Sequence, residues 1–295
     1  MTSPRDVVVV GAGVGGLATA VRMAARGHRV TVLEAASTVG GKLGEHVDAG
    51  HRFDRGPSLF TMPELMEELD ALVPQDLPGR PAPFAYRTLD RSTHYFWEDE
   101  EEPLVAWTDS ARFAKDVEAR WGVKGTHAEL SLHNILFSKD YRAEFNRIQH
   151  EGTPGEDPTV YINITSKELP QDAPEGHENW FVLMNVEANP EMWDDDAVAV
   201  LREQVLAKIE RTLGARPDIV CEQVLKPQTI ESLTGSWRGA LYGASSNSAA
   251  AAFLRHRNRS TDLEGLYFCG GSVHPGGGIP LCLLGARIVD ELAHP

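Results

Sequence analysis

The sequence predicts an α/β protein built on a Rossmann-like dinucleotide-binding domain, and three features predict it. The N-terminus carries a strand–glycine–helix–strand unit between Val7 and Glu34. A second strand–glycine–helix pattern runs from Leu266 to Leu292. Between them lie a strand pair and two amphipathic helices, enough for a second, smaller part.

Val7–Val10 is a β-branched run closed by glycine, the pattern of a parallel strand buried on both faces. Gly11-Ala12-Gly13-Val14-Gly15-Gly16 follows, then a helical stretch Leu17–Arg26 with Leu17, Ala20, Val21 and Ala24 on one face. Gly27-His28 ends that helix, and Val30, Val32 and Leu33 form a second strand reaching Glu34. Each part has a physical task. Gly11 permits the tight turn, Gly13 lets backbone approach a pyrophosphate, and Gly16 lets helix and strand pack closely. The helix N-terminus offers unpaired N–H groups and the positive end of its dipole to phosphate. Glu34 stands where a carboxylate accepts ribose hydroxyls. The fingerprint by itself does not choose between a nicotinamide and a flavin dinucleotide.

Leu266-Tyr267-Phe268-Cys269 reads as a strand, followed by the glycine-rich run from Gly270 to Gly278. Leu283, Leu284, Ile288, Val289 and Leu292 then keep helical spacing. In the middle, Met62–Leu72 is an amphipathic helix with Pro63 at its start. Thr93–Trp107 reads as a strand pair, with the acidic run Glu98–Glu102 taken as a solvated loop near its turn. Asp196–Leu213 is a helix whose Val198, Leu201, Val205, Ile209 and Leu213 face a core.

The bulk figures exclude several classes. A net charge of −15 without a dense basic cluster argues against a nucleic-acid partner and against docking to anionic lipid by charge. Three scattered cysteines form neither a disulfide framework nor a metal knuckle, and the 11 histidines show no HExxH, so no metal site is expected. The cysteine usage suits a reducing cytoplasm. The sequence shows no signal peptide and no apolar run of spanning length, which predicts a soluble protein, attached at most to one face of a membrane.

Gly40-Gly41-Lys42, shortly after Glu34, resembles the motif pattern of the two-dinucleotide-binding-domain flavoproteins, and Gly56-Pro57-Ser58 resembles a further cofactor-lining turn of that group. The C-terminal run is more specific. Gly265, Gly270, Gly271, Ser272, His274, Pro275, Gly276, Gly278, Ile279 and Gly285 resemble the signature of bacterial phytoene desaturase-type carotenoid oxidoreductases. Val273 and Gly277 depart from it, where Thr or Ala and a small side chain are usual. The stretches Gly239–Gly243, Phe253–Arg255, Asn258–Ser260, His133–Ile135 with Asp140-Tyr141, and Ala173–His177 are similar as well. The resemblance therefore runs from residue 7 to about 290. The pattern Gly-x-Leu-Tyr-Gly-x-x-Ser-Asn is nearer to desaturases of an already formed or hydroxylated carotenoid, such as a hydroxycarotenoid 3,4-desaturase.

The resemblance implies a Rossmann-like FAD-binding domain of the glutathione-reductase type with a reduced substrate-binding part of sheet and helix. It implies FAD held by Gly11, Gly13, Val14, Gly15 and Gly16 with Glu34 and Ala35, and by Gly41 and Lys42. Gly56, Pro57 and Ser58, then Gly270, Gly271 and Ser272, then Gly278, Ile279 and Pro280 complete the expected set. It implies hydride transfer from an acyclic polyene to the flavin and C=C formation in carotenoid biosynthesis, with peripheral contact to the inner face of the membrane. Residues 1–90 and 236–295 would form the two parts of the FAD domain, and residues 91–235 the substrate part. Near residues 122–130 the resemblance jumps from the family's first half to its second, so a piece on the order of 100–200 residues is absent. In relatives that piece covers the polyene tunnel. No side-chain constellation announces a catalytic base, and His274 reads as a loop histidine satisfied by backbone. Two other readings stay open: a non-catalytic flavin-binding or partner-binding remnant, and an FAD oxidase or isomerase of another apolar substrate.

Overall fold

A computed structural model describes residues 3–57, 60–89, 91–98, 104–107, 116–186, 190–236 and 255–294. They gather into two compact units. One comprises Met1–Gly44, Arg55–Arg87 and Tyr242–Pro295, and the other Glu45–Asp54 and Thr88–Leu241.

In the first unit, β1 (Asp6–Val10) pairs in parallel with β2 (Arg29–Leu33), in register from Asp6 opposite Arg29 to Val10 opposite Leu33. α1 (Val14–Ala25) connects them, as the fingerprint predicts. α2 (Glu64–Ala71) and the C-terminal helix, Ile279–Ala293, pack with α1 around Ala18, Leu65, Leu283 and Ala286. Met66 and Leu69 lie against this cluster on the face of α2 that the sequence marked as apolar, whereas Leu72 turns outward.

Two expectations fail here. Val7–Val10 is not a strand buried on both faces: Val8 is 61% and Val10 83% exposed, and Leu33 opposite Val10 is 52% exposed. Among the described residues the β1–β2 sheet has only two strands, so helices cover one side while Val8, Val10 and Leu33 meet no second layer. Leu266–Cys269 is not a strand either. Tyr267 forms a single antiparallel bridge with Arg259, and the Phe268 N–H donates to the Asn258 carbonyl, so this backbone pairs with its own preceding loop.

The second unit is organised by a seven-stranded sheet. The hairpin β3 (Glu45–Asp48) and β4 (His51–Asp54) precedes it in sequence. The sheet strands are β5 (Arg91–Phe96), β6 (Leu104–Trp107), β7 (Asp116–Lys124), β8 (His133–Leu136), β9 (Val160–Asn163), β10 (His177–Asn185) and β11 (Asp218–Leu225). They run in the order β11-β7-β10-β9-β8-β5-β6. Antiparallel pairing of β5 with β6 is what the Thr93–Trp107 pattern predicted. β5 and β8 run parallel; the other neighbours are antiparallel.

Pairing sets the two faces of this sheet, because partners across a ladder point the same way and successive residues alternate. One face carries Val224, Ala119, Val182 and Ile162 in one row and Trp121, Trp180, Met184 and Val160 beside it. α4 (Asp195–Leu213) buries Leu201, Val205 and Ile209 of the predicted stripe against that face, with Val198 and Leu213 partly buried beside them and Leu206, which the spacing did not mark, buried as well. The Asp194 carboxylate accepts from the Ala197 N–H and caps the helix; Gly214, at φ +74°, ends it. α3 (Tyr141–Glu151) is capped in the same way by Asp140. α5 (Pro227–Thr234) follows β11, and the helix Ile279–Ala293 is α6.

The acidic run also corrects the sequence reading at its first residue. The Glu98 side chain is 8% exposed and takes three cations: Lys208 Nζ at 3.0 Å, Lys139 Nζ at 3.0 Å and Arg211 Nε at 3.1 Å. These partners hold its carboxyl at about 2, against the opposing cost of burial. A charge next to a turn is solvated only when no helix covers it, and α4 brings Lys208 and Arg211 onto this one. Residues 99–102 lie outside the described residues.

Candidate functional site

The candidate site forms where the two glycine-rich segments meet in the first unit. At the end of β1 the chain turns through Gly11, whose φ of +96° only glycine adopts without strain, and the Gly11 N–H donates to the Leu33 carbonyl at 2.7 Å. Gly13 is the N-cap of α1 and provides no side-chain cap, leaving the first-turn N–H groups of Val14 and Gly15 for another acceptor. A methyl group at Gly11 or Gly13 meets nothing within 4 Å, so the space above the fingerprint is open. Gly16 is the opposite case: a methyl there collides with the Gly11 carbonyl oxygen and approaches Val9 Cγ1 to 3.3 Å. This is the close helix–strand contact expected of the last glycine.

Glu34, one residue beyond β2, turns its carboxylate back over this loop. Oε2 accepts from the Ala12 N–H at 2.6 Å and Oε1 from the Ala36 N–H at 2.9 Å. Those bonds, Ala36 first, hold the carboxyl below its ordinary range, so it is ionised at neutral pH. Ala35 lies between Glu34 and Ala36, and its own N–H bears slightly on the carboxylate.

The Gly40-Gly41-Lys42 turn docks on the same loop. The Gly40 N–H donates to the Ala12 carbonyl at 2.8 Å, Gly40 bridges to Gly13, and a Cβ on Gly41 would stand 3.1 Å from Gly13 Cα. Gly56 fits against the Lys42 carbonyl, where no side chain has room, which brings Gly56-Pro57 to the far side of that turn. Ser58 lies outside the described residues, as do Gly239–Gly243 and Phe253-Leu254.

The C-terminal segment closes the site. A Cβ on Gly15 would stand 2.9 Å from Cys269 Sγ and 3.2 Å from the Gly270 nitrogen, so Gly15 and Gly270 touch across 255 positions of sequence. Gly271 packs on Gly277, and its carbonyl accepts from Arg255 Nη1 at 3.2 Å. His274 is held by its backbone: its N–H donates to the His256 carbonyl, and its carbonyl accepts from Asn258 Nδ2 at 2.7 Å. Gly278, at φ +97°, is the N-cap of α6 and again supplies no side-chain cap, with Ile279 and Pro280 in the first turn. Ser272 follows Gly271 in the bend between them.

Two titratable groups flank the joint. Burial pushes the Lys42 ammonium below its ordinary range. Burial also pushes the Cys282 thiol, in the first turn of α6, up to about 11, so it is neutral at physiological pH. The cofactor-holding set expected from the sequence left out Ala12, Gly40 and Cys269. Gly40 was legible as the first of a Gly-Gly pair; the Cys269 contact had no signal in the sequence, because it exists only once α6 packs on α1.

The donor set fits a dinucleotide. Two uncapped helix N-termini, an open glycine loop at one of them and an ionised carboxylate at a strand end lie within one unit. Among the described residues no group of three or more metal-binding side chains occurs, and no helix is long and apolar enough to cross a membrane.

Residues 9–73 match the model of the NAD(P)-binding Rossmann-like domain. An oxidoreductase from Methanosarcina mazei has a similar fold, with a TM-score of 0.55 at 13% identity, covering 97% of this chain and 100% of that one. The class so defined is a mixed α/β protein with a Rossmann-type dinucleotide-binding domain. Within that class, part of the chain is similar to a carotenoid desaturase and to carotenoid oxygenases. It is 53% identical over 174 residues to a 1-hydroxycarotenoid 3,4-desaturase of Flavobacterium sp. (strain P99-3), covering 58% of this chain and 36% of that protein. It is 34% identical over 175 residues to a 4,4'-diaponeurosporene oxygenase of Staphylococcus haemolyticus (strain JCSC1435), covering 58% and 35%. The chain thus spans about a third of the length of the curated relatives it matches.

Proposed function

We propose that this chain binds FAD and belongs to an oxidoreductase that desaturates an acyclic, hydroxylated carotenoid or a similar polyene. The observation that carries the reading is the 53% identity to a 1-hydroxycarotenoid 3,4-desaturase, which the meeting of the two glycine-rich segments supports with a built dinucleotide cradle. The first unit is the FAD-binding part, assembled from both ends of the chain, and the second unit is what is left of the substrate part.

The residues divide the work of binding. The uncapped N-terminus of α1 and the backbone of Gly13 and Gly15 receive the pyrophosphate. Glu34 accepts ribose hydroxyls, exchanging its Ala12 and Ala36 contacts for them. Gly41, Lys42, Gly56 and Pro57 line one side, and Gly270 through Ser272 with the N-terminus of α6 the other. FAD, when bound, would accept the hydride of one C–H bond, while the neighbouring carbon loses a proton as the C=C bond forms. The protein's part is orientation and exclusion of water. The enzyme acts in the cytoplasm, at the inner face of the membrane where a polyene resides.

The test is spectral. Purified protein is expected to carry, or to take up, FAD with a yellow absorbance band, and to bleach anaerobically on titration with liposomes holding a hydroxylated acyclic carotene. A colourless protein that takes up no FAD refutes the reading at its first step. A second reading, a flavin-binding remnant without catalysis, is favoured by one observation: among the described residues, Val8, Val10 and Leu33 stand exposed on a two-stranded sheet. It predicts the yellow band without bleaching.

A further inference from the structure

At the end of α1 opposite the glycine loop, two imidazoles form a hydrogen-bond relay that ties the last turn of α6 to the start of the β1–β2 layer. His28 lies in the turn between α1 and β2 and is buried. His294 follows α6 directly, its side chain 7% exposed. The rings lie nearly parallel, with centroids 5.0 Å apart and an interplanar angle of 11°, and the two Nε2 atoms face each other at 2.7 Å. At that separation one nitrogen donates and the other accepts.

The flanking bonds decide which. The Arg5 N–H donates to His28 Nδ1 at 3.2 Å, so His28 Nδ1 bears no proton and His28 carries its proton on Nε2. His28 Nε2–H therefore donates to His294 Nε2. His294 in turn carries its proton on Nδ1, which donates to the Asp290 carbonyl at 2.8 Å and faces Asp290 Oδ1 at 3.1 Å. Every ring nitrogen is used once, and the relay closes only with both rings neutral. A proton added to His28 Nδ1 opposes the Arg5 N–H; one added to His294 Nε2 opposes His28 Nε2–H.

We infer that His28 and His294 form a pH-sensitive clasp that holds the C-terminal end of α6 at neutral pH and releases it in acid. The charged groups facing the pair come from every neighbouring segment: Arg5 before β1, Arg26 at the end of α1, and Asp290 on α6. Asp290 is engaged in a two-bond pair with Arg26, Nε to Oδ1 at 3.1 Å and Nη2 to Oδ2 at 2.9 Å, which tempers its pull on the imidazoles. Burial, then His294, then Arg5, hold His28 below the ordinary imidazole range. A histidine held low in the folded state takes up its proton on opening. The clasp is therefore closed above about pH 6.5 and weakens as pH falls below it.

Imidazole nitrogen shifts of the full-length, selectively labelled protein test the relay. At about pH 7.5 the expected result is His28 protonated on Nε2 and His294 on Nδ1. His28 protonated on Nδ1, or either ring doubly protonated at that pH, overturns the inference without any variant. Amide exchange in residues 288–293, corrected for the intrinsic rate, then tests the release. It is expected to accelerate severalfold between about pH 7.5 and 5, because opening takes up protons that the closed relay excludes. The double variant His28→Gln/His294→Phe, which removes both imidazoles of the relay, is expected to lose that acceleration. If it keeps the full pH dependence, the clasp is not its source.

Discussion

Replacing Gly13 with alanine separates the folding role of the fingerprint from its binding role, because neighbouring glycines differ in what a methyl group meets. Gly13 has an ordinary extended backbone (φ −73°, ψ 174°) and open space where a Cβ would stand, so the apo fold accepts alanine without strain. Gly13 is also the N-cap of α1, where alanine is less favourable than glycine, so the expected loss is about 0.5–1 kcal/mol. The same methyl occupies the surface across which a pyrophosphate must approach. Overpacking of a close contact costs about 1–3 kcal/mol, which on binding is about 5- to 150-fold in Kd. Gly15→Ala is the control. Its methyl falls 2.9 Å from Cys269 Sγ and 3.2 Å from the Gly270 nitrogen, so it is expected to destabilise the apo protein by about 1–3 kcal/mol through the joint of the two segments. Thermal unfolding of apo protein measures the first quantity and quenching of FAD fluorescence the second. The reasoning fails if Gly13→Ala binds FAD as tightly as the parent, or if it unfolds as early as Gly15→Ala.

Three further outcomes follow from the second unit. Lys208→Met removes a fully buried ammonium that bonds Glu98 and Asp157 at 3.0 Å each, and urea unfolding is expected to show a loss of about 3–5 kcal/mol; a loss under 1 kcal/mol would mean that Arg211 and Lys139 satisfy both carboxylates alone. Burial raises Glu118 to about 7, opposed by Arg120 at 3.6 Å. The folded state therefore holds a proton that the unfolded state has released, and stability falls as pH rises from about 4.5 through 7, by up to about 3 kcal/mol. Glu118→Gln is expected to flatten that slope in a denaturation series across pH, and an unchanged slope assigns it elsewhere. Asp194→Ala removes the cap bond to Ala197 and is expected to cost about 1 kcal/mol, read as a shift in unfolding midpoint.

The elements that carry their own signal were legible from local chemistry. The fingerprint from Gly11 to Gly16 and the strand ending before Glu34 sit where the pattern put them, as does the apolar stripe of α4. Turn glycines, caps and helical spacing act over a few residues, and a sequence displays those directly. The failures share one cause. Whether Val8 and Val10 are buried depends on what faces the β1–β2 sheet, and the run of valines reads the same with or without a covering layer. Leu266–Cys269 has the composition of a strand, yet its backbone is satisfied by Asn258–Ser260 instead of a neighbouring strand. Glu98 reads as solvated until α4 lays Lys208 and Arg211 on it.

The sequence by itself determined that a dinucleotide-type loop starts a helix, that a second glycine-rich run starts another, and which residues bound each. Only the tertiary structure decided that these two runs touch, with Gly15 against Gly270, and that Glu34 turns its carboxylate back onto Ala12. The same holds for the neutral relay of His28 and His294. The physical reason is separation along the chain: Gly15 meets Gly270 and His28 meets His294 only when α6 packs on α1, and Glu34 reaches Ala12, 22 positions away, only once β2 pairs with β1; no local pattern of side chains encodes which distant backbone will arrive.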